Sequence, residues 1–202
     1  MKKIGALVFP NFELLDMFGP LEMFALMDDE VEVTMIGQNG GVVCGRGGPK
    51  TQCDLSYDDD AAFDMLLVPG GAGTREEVTN PVTLNWLRAQ SEKTELVMTV
   101  CTGSTLLSAT GLLDGRRATT NKRSFEWATS HGPNVDWVKQ ARWVEDGKYF
   151  TSSGVSAGMD MALTVIAQQF GLEAAERTAI RAEYDWHRDA DYDPFAKIHG
   201  LV

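Results

Sequence analysis

The stretch Leu96-Val97-Met98-Thr99-Val100-Cys101-Thr102-Gly103-Ser104-Thr105-Leu106-Leu107 decides the fold. An uncharged run of strand type leads straight into a cysteine, and Gly103, two residues on, opens a helical run of small and apolar residues. A strand without charge is the kind buried on both faces, as in a parallel sheet covered by helices. The strand–turn–helix layout is that of a nucleophile elbow, with sulfur in place of the usual hydroxyl and only part of the G-x-S-x-G pattern present. A cysteine at a helix N-terminus meets the positive end of the dipole and unpaired N–H groups, and both favour thiolate over thiol. On that reading Cys101 oxidises before Cys44 and Cys53. The other reading is a packed core thiol, because free cysteine is among the most buried residue types.

Outward from this elbow, short apolar runs at 4–9, 31–36 and 65–68 repeat the strand pattern, each followed by a turn marked by Gly or Pro. Helical patterns fall at 21–27, 81–90, 102–110, 124–130 and 156–170. A helix after nearly every strand predicts a doubly wound, layered α/β fold. Two segments depart from the alternation. Residues 40–53 are glycine-rich and predict a small hairpin, while Asp146-Gly147 between the strand-like runs of 141–151 predicts a two-residue hairpin turn and hence an antiparallel edge. No repeat or linker divides residues 1–202, so one domain is expected. Its last stretch, 183–202, mixes aromatics with aspartates and is expected to wrap the domain or touch a second subunit.

Of 202 residues, 44% are hydrophobic and 23% charged, close to the averages for globular chains. Acidic residues outnumber basic ones by 29 to 18, a formal charge of -11, which argues against nucleic acid and anionic membranes as partners. The apolar run after Lys2-Lys3 is shorter than the roughly 7–15 residues of a signal-peptide core, and no run approaches the roughly 18 of a membrane span. An odd count of three cysteines predicts free thiols in a reducing cytoplasm. No C-x-x-C or H-E-x-x-H occurs, and His131, His187 and His199 are scattered, so no metal is expected.

Two further segments carry candidate chemistry. Val68-Pro69-Gly70-Gly71-Ala72-Gly73-Thr74 follows a strand, and its glycines bring N–H groups close to a ligand or serve a tight turn. It is no dinucleotide fingerprint, since Glu76 stands where the third glycine belongs. In an open α/β sheet the strand C-termini meet at one edge, so this loop and Cys101 are expected together at a topological switch point. In Leu14-Leu15-Asp16-Met17-Phe18-Gly19-Pro20, Asp16 is a lone acid among apolar residues. Burial raises its pKa toward the range useful for proton transfer, while the alternative is capping of a helix that begins near Pro20.

At these residues the chain resembles the ThiJ/PfpI superfamily, whose fold is like that of class I glutamine amidotransferases, and within it the isonitrile hydratase branch. The likeness is carried by residues 15–20, 68–73 and 100–104, by Gly111-Leu112-Leu113-Asp114-Gly115-Arg116-Arg117-Ala118-Thr119-Thr120, and by Ser152-Ser153-Gly154-Val155-Ser156-Ala157-Gly158-Met159-Asp160. It implies a three-layer α/β sandwich with a mostly parallel, flavodoxin-like sheet and a small antiparallel edge or hairpin. The chain departs from the protease-like branch, which has histidine after the nucleophile where this chain has Thr102. Other members carry histidine after the Thr-Thr pair, where this chain has Asn121.

The resemblance implies a cytoplasmic, cofactor-free homodimer that hydrates a small-molecule isonitrile to an N-substituted formamide through a covalent thioimidate. Cys101 is then the nucleophile and Asp16 the proton carrier. Thr102 orients Asp16 or the water, and backbone N–H groups at Gly70, Gly71 and Thr102 stabilise charge. The pocket is expected to be largely apolar, with Phe18 and Trp127 in its walls. Rival readings are a cofactor-free enzyme acting on 2-oxoaldehydes and a non-enzymatic redox or stress-sensing dimer. Related regulators join this fold to a helix-turn-helix module, which is not expected within residues 1–202.

Overall fold

The computed structural model describes residues 1–202. In chain order the elements are β1 (Lys2–Val8), α1 (Leu14–Ala25), β2 (Val31–Gly37), β3 (Gly41–Cys44), β4 (Lys50–Cys53), β5 (Met65–Val68), α2 (Thr74–Glu77), α3 (Pro81–Lys93) and β6 (Leu96–Val100). There follow α4 (Gly103–Ala109), β7 (Arg117–Ala118), α5 (Phe125–Ser130), β8 (Asp136–Trp137), β9 (Trp143–Asp146), β10 (Tyr149–Ser152), α6 (Ala157–Phe170), α7 (Leu172–Arg181) and α8 (Pro194–Ile198).

The central six-stranded sheet has the order β2-β1-β5-β6-β10-β9, parallel throughout except for β9, which pairs antiparallel with β10 at one edge. Setting β9 aside, this is the flavodoxin-like order, whose switch point lies between β1 and β5. Helices α1, α6 and α7 pack together on one side, and α3 and α4 pack together on the other. Every residue of β5 and β6 is buried. Their lack of charge is thus the mark of strands covered on both faces.

Two local expectations are corrected and a third is met. The first helix begins at Leu14 rather than near Pro20, so Pro20 lies inside it. Proline removes one helical hydrogen bond, yet α1 is held by its packing on α6. A Cβ on Gly158 would lie 3.1 Å from Pro20 Cγ, and one on Gly19 would lie 3.0 Å from Met159 Cγ. Asp16 therefore sits in the first turn of a helix, not before one. The second correction is to the β9–β10 turn, where Asp146 pairs with Tyr149 and the loop residues are Gly147 and Lys148. Only Gly147 takes a positive φ, 60°, as in a turn with glycine at its first central position. The Asp146 carboxylate instead accepts from the Arg117 N–H (2.9 Å) and from Arg116 (3.1 Å). As expected, β3–β4 forms the glycine-rich hairpin, and its register pairs Cys53 with Gly41 and Cys44 with Lys50, so the two thiols lie at opposite ends and stay free.

The segment after α7 lies along its own domain. The Arg142 N–H donates to Ala190 O (2.7 Å), and the Asp193 N–H donates to Gln140 O (2.7 Å). Asp160, fully buried in α6, receives Arg142 Nε (2.7 Å), the Tyr184 hydroxyl (3.1 Å) and the His187 N–H (2.9 Å).

Candidate functional site

The C-terminal ends of β1, β5, β6 and β10 meet on one edge of the sheet, and their loops converge on Cys101. Cys101 follows β6 with φ +58°, the left-handed region that L-residues other than glycine rarely enter. Holding it there costs on the order of 1–3 kcal/mol, which the surroundings must offset. Its N–H donates to Ser152 O (3.2 Å) and Ser153 O (3.0 Å). Its carbonyl accepts from Ser104 Oγ and Thr120 Oγ1, both at 3.0 Å. Gly103 lets the start of α4 cross the end of β5, because a Cβ there would stand 2.4 Å from Val68 O.

Asp16 approaches from α1 and is fully buried. The Gly70 N–H donates to its Oδ2 at 3.0 Å, and the Val155 N–H also favours the ionised form, while Oδ1 has no partner of good hydrogen-bond geometry. Gly70 has to be glycine, because a Cβ would meet Thr102 N at 2.5 Å and Asp16 Oδ2 at 2.9 Å. Val155 is held at φ +48°, a genuine outlier for a β-branched residue. Burial drives the Asp16 carboxyl up from 3.8 to about 7, against the opposing pull of the Cys101 side chain and the Gly70 N–H.

Cys101 is pushed up from the usual thiol value, first by burial and then by the negative charge of Asp16. The nearby Thr102 N–H and Asn121 side chain work the other way, favouring the charged sulfur. The surroundings of Cys101 thus oppose the low-pKa thiolate expected from the elbow. Helix α4 is one short helix whose dipole effect is limited to its first turn, whereas the thiol is almost wholly withdrawn from water beside an acid. Burial thus pushes both groups toward their neutral forms, Cys101 above the usual thiol value and Asp16 to about 7.

Other expectations change with the hydrogen bonds. Thr102 makes no hydrogen bond to Asp16; its Oγ1 accepts from the Gly71 N–H (3.1 Å) and bonds with Thr74 Oγ1 (3.1 Å), tying the glycine loop to the elbow. The Gly70 and Gly71 N–H groups are thus already engaged, one by Asp16 and the other by Thr102. The Ala72 N–H, which no protein acceptor receives, is the free donor of that loop.

Cys101 opens onto a cavity of about 470 Å³ lined by Glu13, Arg46, Arg75, Asn121, Arg123 and Ser124 among others. Polar and charged side chains dominate it, so the apolar pocket expected from the sequence is not found. Phe18 lies outside the lining, 43% exposed and edge-on to Phe12 at 6.1 Å. Trp127 is also outside it and reaches the cavity only through Arg75, whose guanidinium stacks on the indole at 3.7 Å. His131 packs on Trp127 rather than approaching the thiol. No group of three or more His, Cys, Asp or Glu side chains is placed to hold a metal ion.

Sequence reading missed Asn121, Arg75, Arg123 and Val155. Asn121 stands where the absence of a histidine is noticed, and that position places an amide in the same cavity lining as the sulfur all the same. Arg75 directly follows the glycine loop, so its place beside the loop was open to view. The strained backbone of Val155 leaves no mark in composition or periodicity.

The DJ-1/PfpI family model matches residues 2–168. The chain is 34% identical over 184 residues to isonitrile hydratase of Pseudomonas putida, covering 90% of this chain and 78% of that protein. It is 28% identical over 173 residues to the HTH-type transcriptional regulator CdhR of Pseudomonas aeruginosa, covering 84% of this chain and only 51% of the regulator. A crystal structure of a ThiJ/PfpI family protein from Pseudomonas syringae superposes with a TM-score of 0.83 at 26% identity, covering 91% of this chain and 75% of that one. With the flavodoxin-like sheet, the strained cysteine elbow and a match running through nearly every element that builds them, the chain belongs to the DJ-1/PfpI family.

Proposed function

We propose that the protein is a cofactor-free hydratase converting an isonitrile, R–N≡C, into the formamide R–NH–CHO. The observation that carries this reading is a buried carboxyl with a pKa of about 7 set against a thiol on a strained elbow. The likeness to isonitrile hydratase is consistent with it. In the first half, the Cys101 sulfur bonds to the terminal carbon while Asp16 takes the thiol proton and delivers it to that carbon, giving the thioimidate R–N=CH–S-Cys. In the second, water adds to the same carbon; Asp16 takes a water proton and passes it to nitrogen. The C–S bond then breaks, the hydroxyl proton returns to sulfur, and R–NH–CHO leaves. A group that accepts and returns a proton in turn works best with a pKa near the ambient pH, as Asp16 has. Asn121 and the Thr102 N–H steady the sulfur as it gains charge, and the Ala72 N–H is the spare donor of the glycine loop.

The test is turnover of a simple alkyl isocyanide by purified protein, with Cys101→Ala and Asp16→Asn as comparisons. Formamide production lost in both variants, together with a mass increase on Cys101 equal to the isonitrile, supports the reading. Absence of turnover by the wild type removes the reaction and leaves the fold and site geometry as they are.

A further inference from the structure

The cavity beside Cys101 is cationic in a chain with a formal charge of -11. Three arginines line it, and of these only Arg46 has a carboxylate partner, Glu13 at 2.6 Å. Arg75 and Arg123 have no acidic group within ion-pair distance. Asp16, the other acid of the site, is half neutral at pH 7, so the cavity keeps an excess of positive charge.

Arg75 is held in one place. Its Nη1 donates to Thr74 Oγ1 (3.1 Å) and Gly71 O (3.4 Å), its Nη2 donates to Ser124 Oγ (3.1 Å), and its plane lies on Trp127. A guanidinium has five N–H donors. The Nε–H and one Nη2–H are left without an acceptor, and these two nitrogens flank the edge on which a carboxylate is taken bidentately. Partial burial makes the charge on Arg75 harder to hold, and Cys101, when ionised, acts against this. A cation fixed by neutral partners and left without a counter-ion, in the same cavity as the nucleophile, is a built anion subsite.

We infer that the substrate carries a carboxylate held by Arg75, with Arg123 adding to the attraction, so that the pocket selects small isocyano-carboxylates over neutral isonitriles. This rests on the hydratase reading for the reacting group and on the cavity alone for the anion. The balanced change is ⁻OOC–R–N≡C plus water giving ⁻OOC–R–NH–CHO, an N-formyl amino acid. A cavity of about 470 Å³ lies within the range of small-molecule sites, roughly 300–1,000 Å³.

The experiment measures kcat/KM for isocyanoacetate and for ethyl isocyanide with wild type, Arg75→Ala and Arg75→Lys. Wild type is expected to prefer isocyanoacetate by at least tenfold. Arg75→Ala should abolish the preference, and Arg75→Lys, which keeps the charge without the two-pronged edge, should retain part of it. Because each ratio is taken within one variant, a partly unfolded sample leaves it unchanged. Equal or better use of ethyl isocyanide by the wild type overturns the inference and keeps the hydratase. If neither isonitrile reacts, the hydratase reading falls, and binding of N-formylglycine against N-ethylformamide, followed by tryptophan fluorescence, decides the anion subsite. At least tenfold tighter binding of N-formylglycine, lost in Arg75→Ala, sustains the subsite; no difference overturns it.

Discussion

Replacing Asp16 by asparagine isolates the cost of burying an acid at the site. The folded carboxyl has a pKa of about 7 against an ordinary 3.8. Between those pH values the folded chain binds a proton that the unfolded chain has released, so stability falls as pH rises. The contribution of the protonated acid is complete below pH 3.8 and is lost as pH passes through about 7. The interval of roughly three pH units corresponds to about 4 kcal/mol, and water entering around the ionised group reduces this to about 2–4 kcal/mol. Asparagine keeps an oxygen for the Gly70 N–H and cannot ionise. Urea unfolding followed by tryptophan fluorescence, in steps from pH 4 to pH 8.5, should show the variant gaining about 2–4 kcal/mol relative to wild type across the range. By the usual scaling for a chain of this size, that is roughly 4–16 °C in Tm. On the hydratase reading, formamide production should be lost in the same variant. A stability difference that does not change with pH would show that Asp16 titrates normally and would undo its assignment as a proton carrier near neutrality.

In the wild type, kcat/KM should rise with pH through about 7 and then level off, because Asp16 accepts the thiol proton only when ionised; a flat profile over pH 5.5–8.5 contradicts this. Iodoacetamide at pH 7 should label exposed Cys44 at least tenfold faster than Cys101, whose thiol burial holds protonated, as peptide mass spectrometry will show. Faster labelling of Cys101 would restore the thiolate expected from the elbow. Arg142→Ala leaves Asp160 buried without its cation and should cost about 3–5 kcal/mol. The same change should free 183–202 for limited proteolysis, and a wild-type cleavage pattern would disprove the anchoring role of this pair.

Much of the architecture was legible because it follows from local chemistry. Met65–Val68 and Leu96–Val100 carry no charge, and only burial on both faces suits such strands. Glycines at 70 and 103 mark places where another chain segment comes within about 3 Å, and the cysteine between strand and glycine marks the elbow. What periodicity could not reveal depended on partners distant in sequence. Pro20 reads as a helix start, yet packing on Gly158 and Met159 carries α1 straight through it. The elbow suggests an activated thiolate, but the surroundings of Cys101 remove water and place Asp16 beside it, which reverses the sign of the shift. Phe18 and Trp127 are expected as pocket walls, whereas the wall is charged because α2 after β5 and the loop after β7 bring Arg75 and Arg123 to one cavity.

The amino-acid order alone determined the layers, the parallel strands and the place of the cysteine elbow, since each rests on hydrophobicity and backbone freedom within a few residues. Tertiary structure decided where the protons sit and what charge the cavity presents. Those properties come from desolvation and from Coulomb interactions among side chains brought together by the crossovers of the sheet, and no short stretch of sequence contains them.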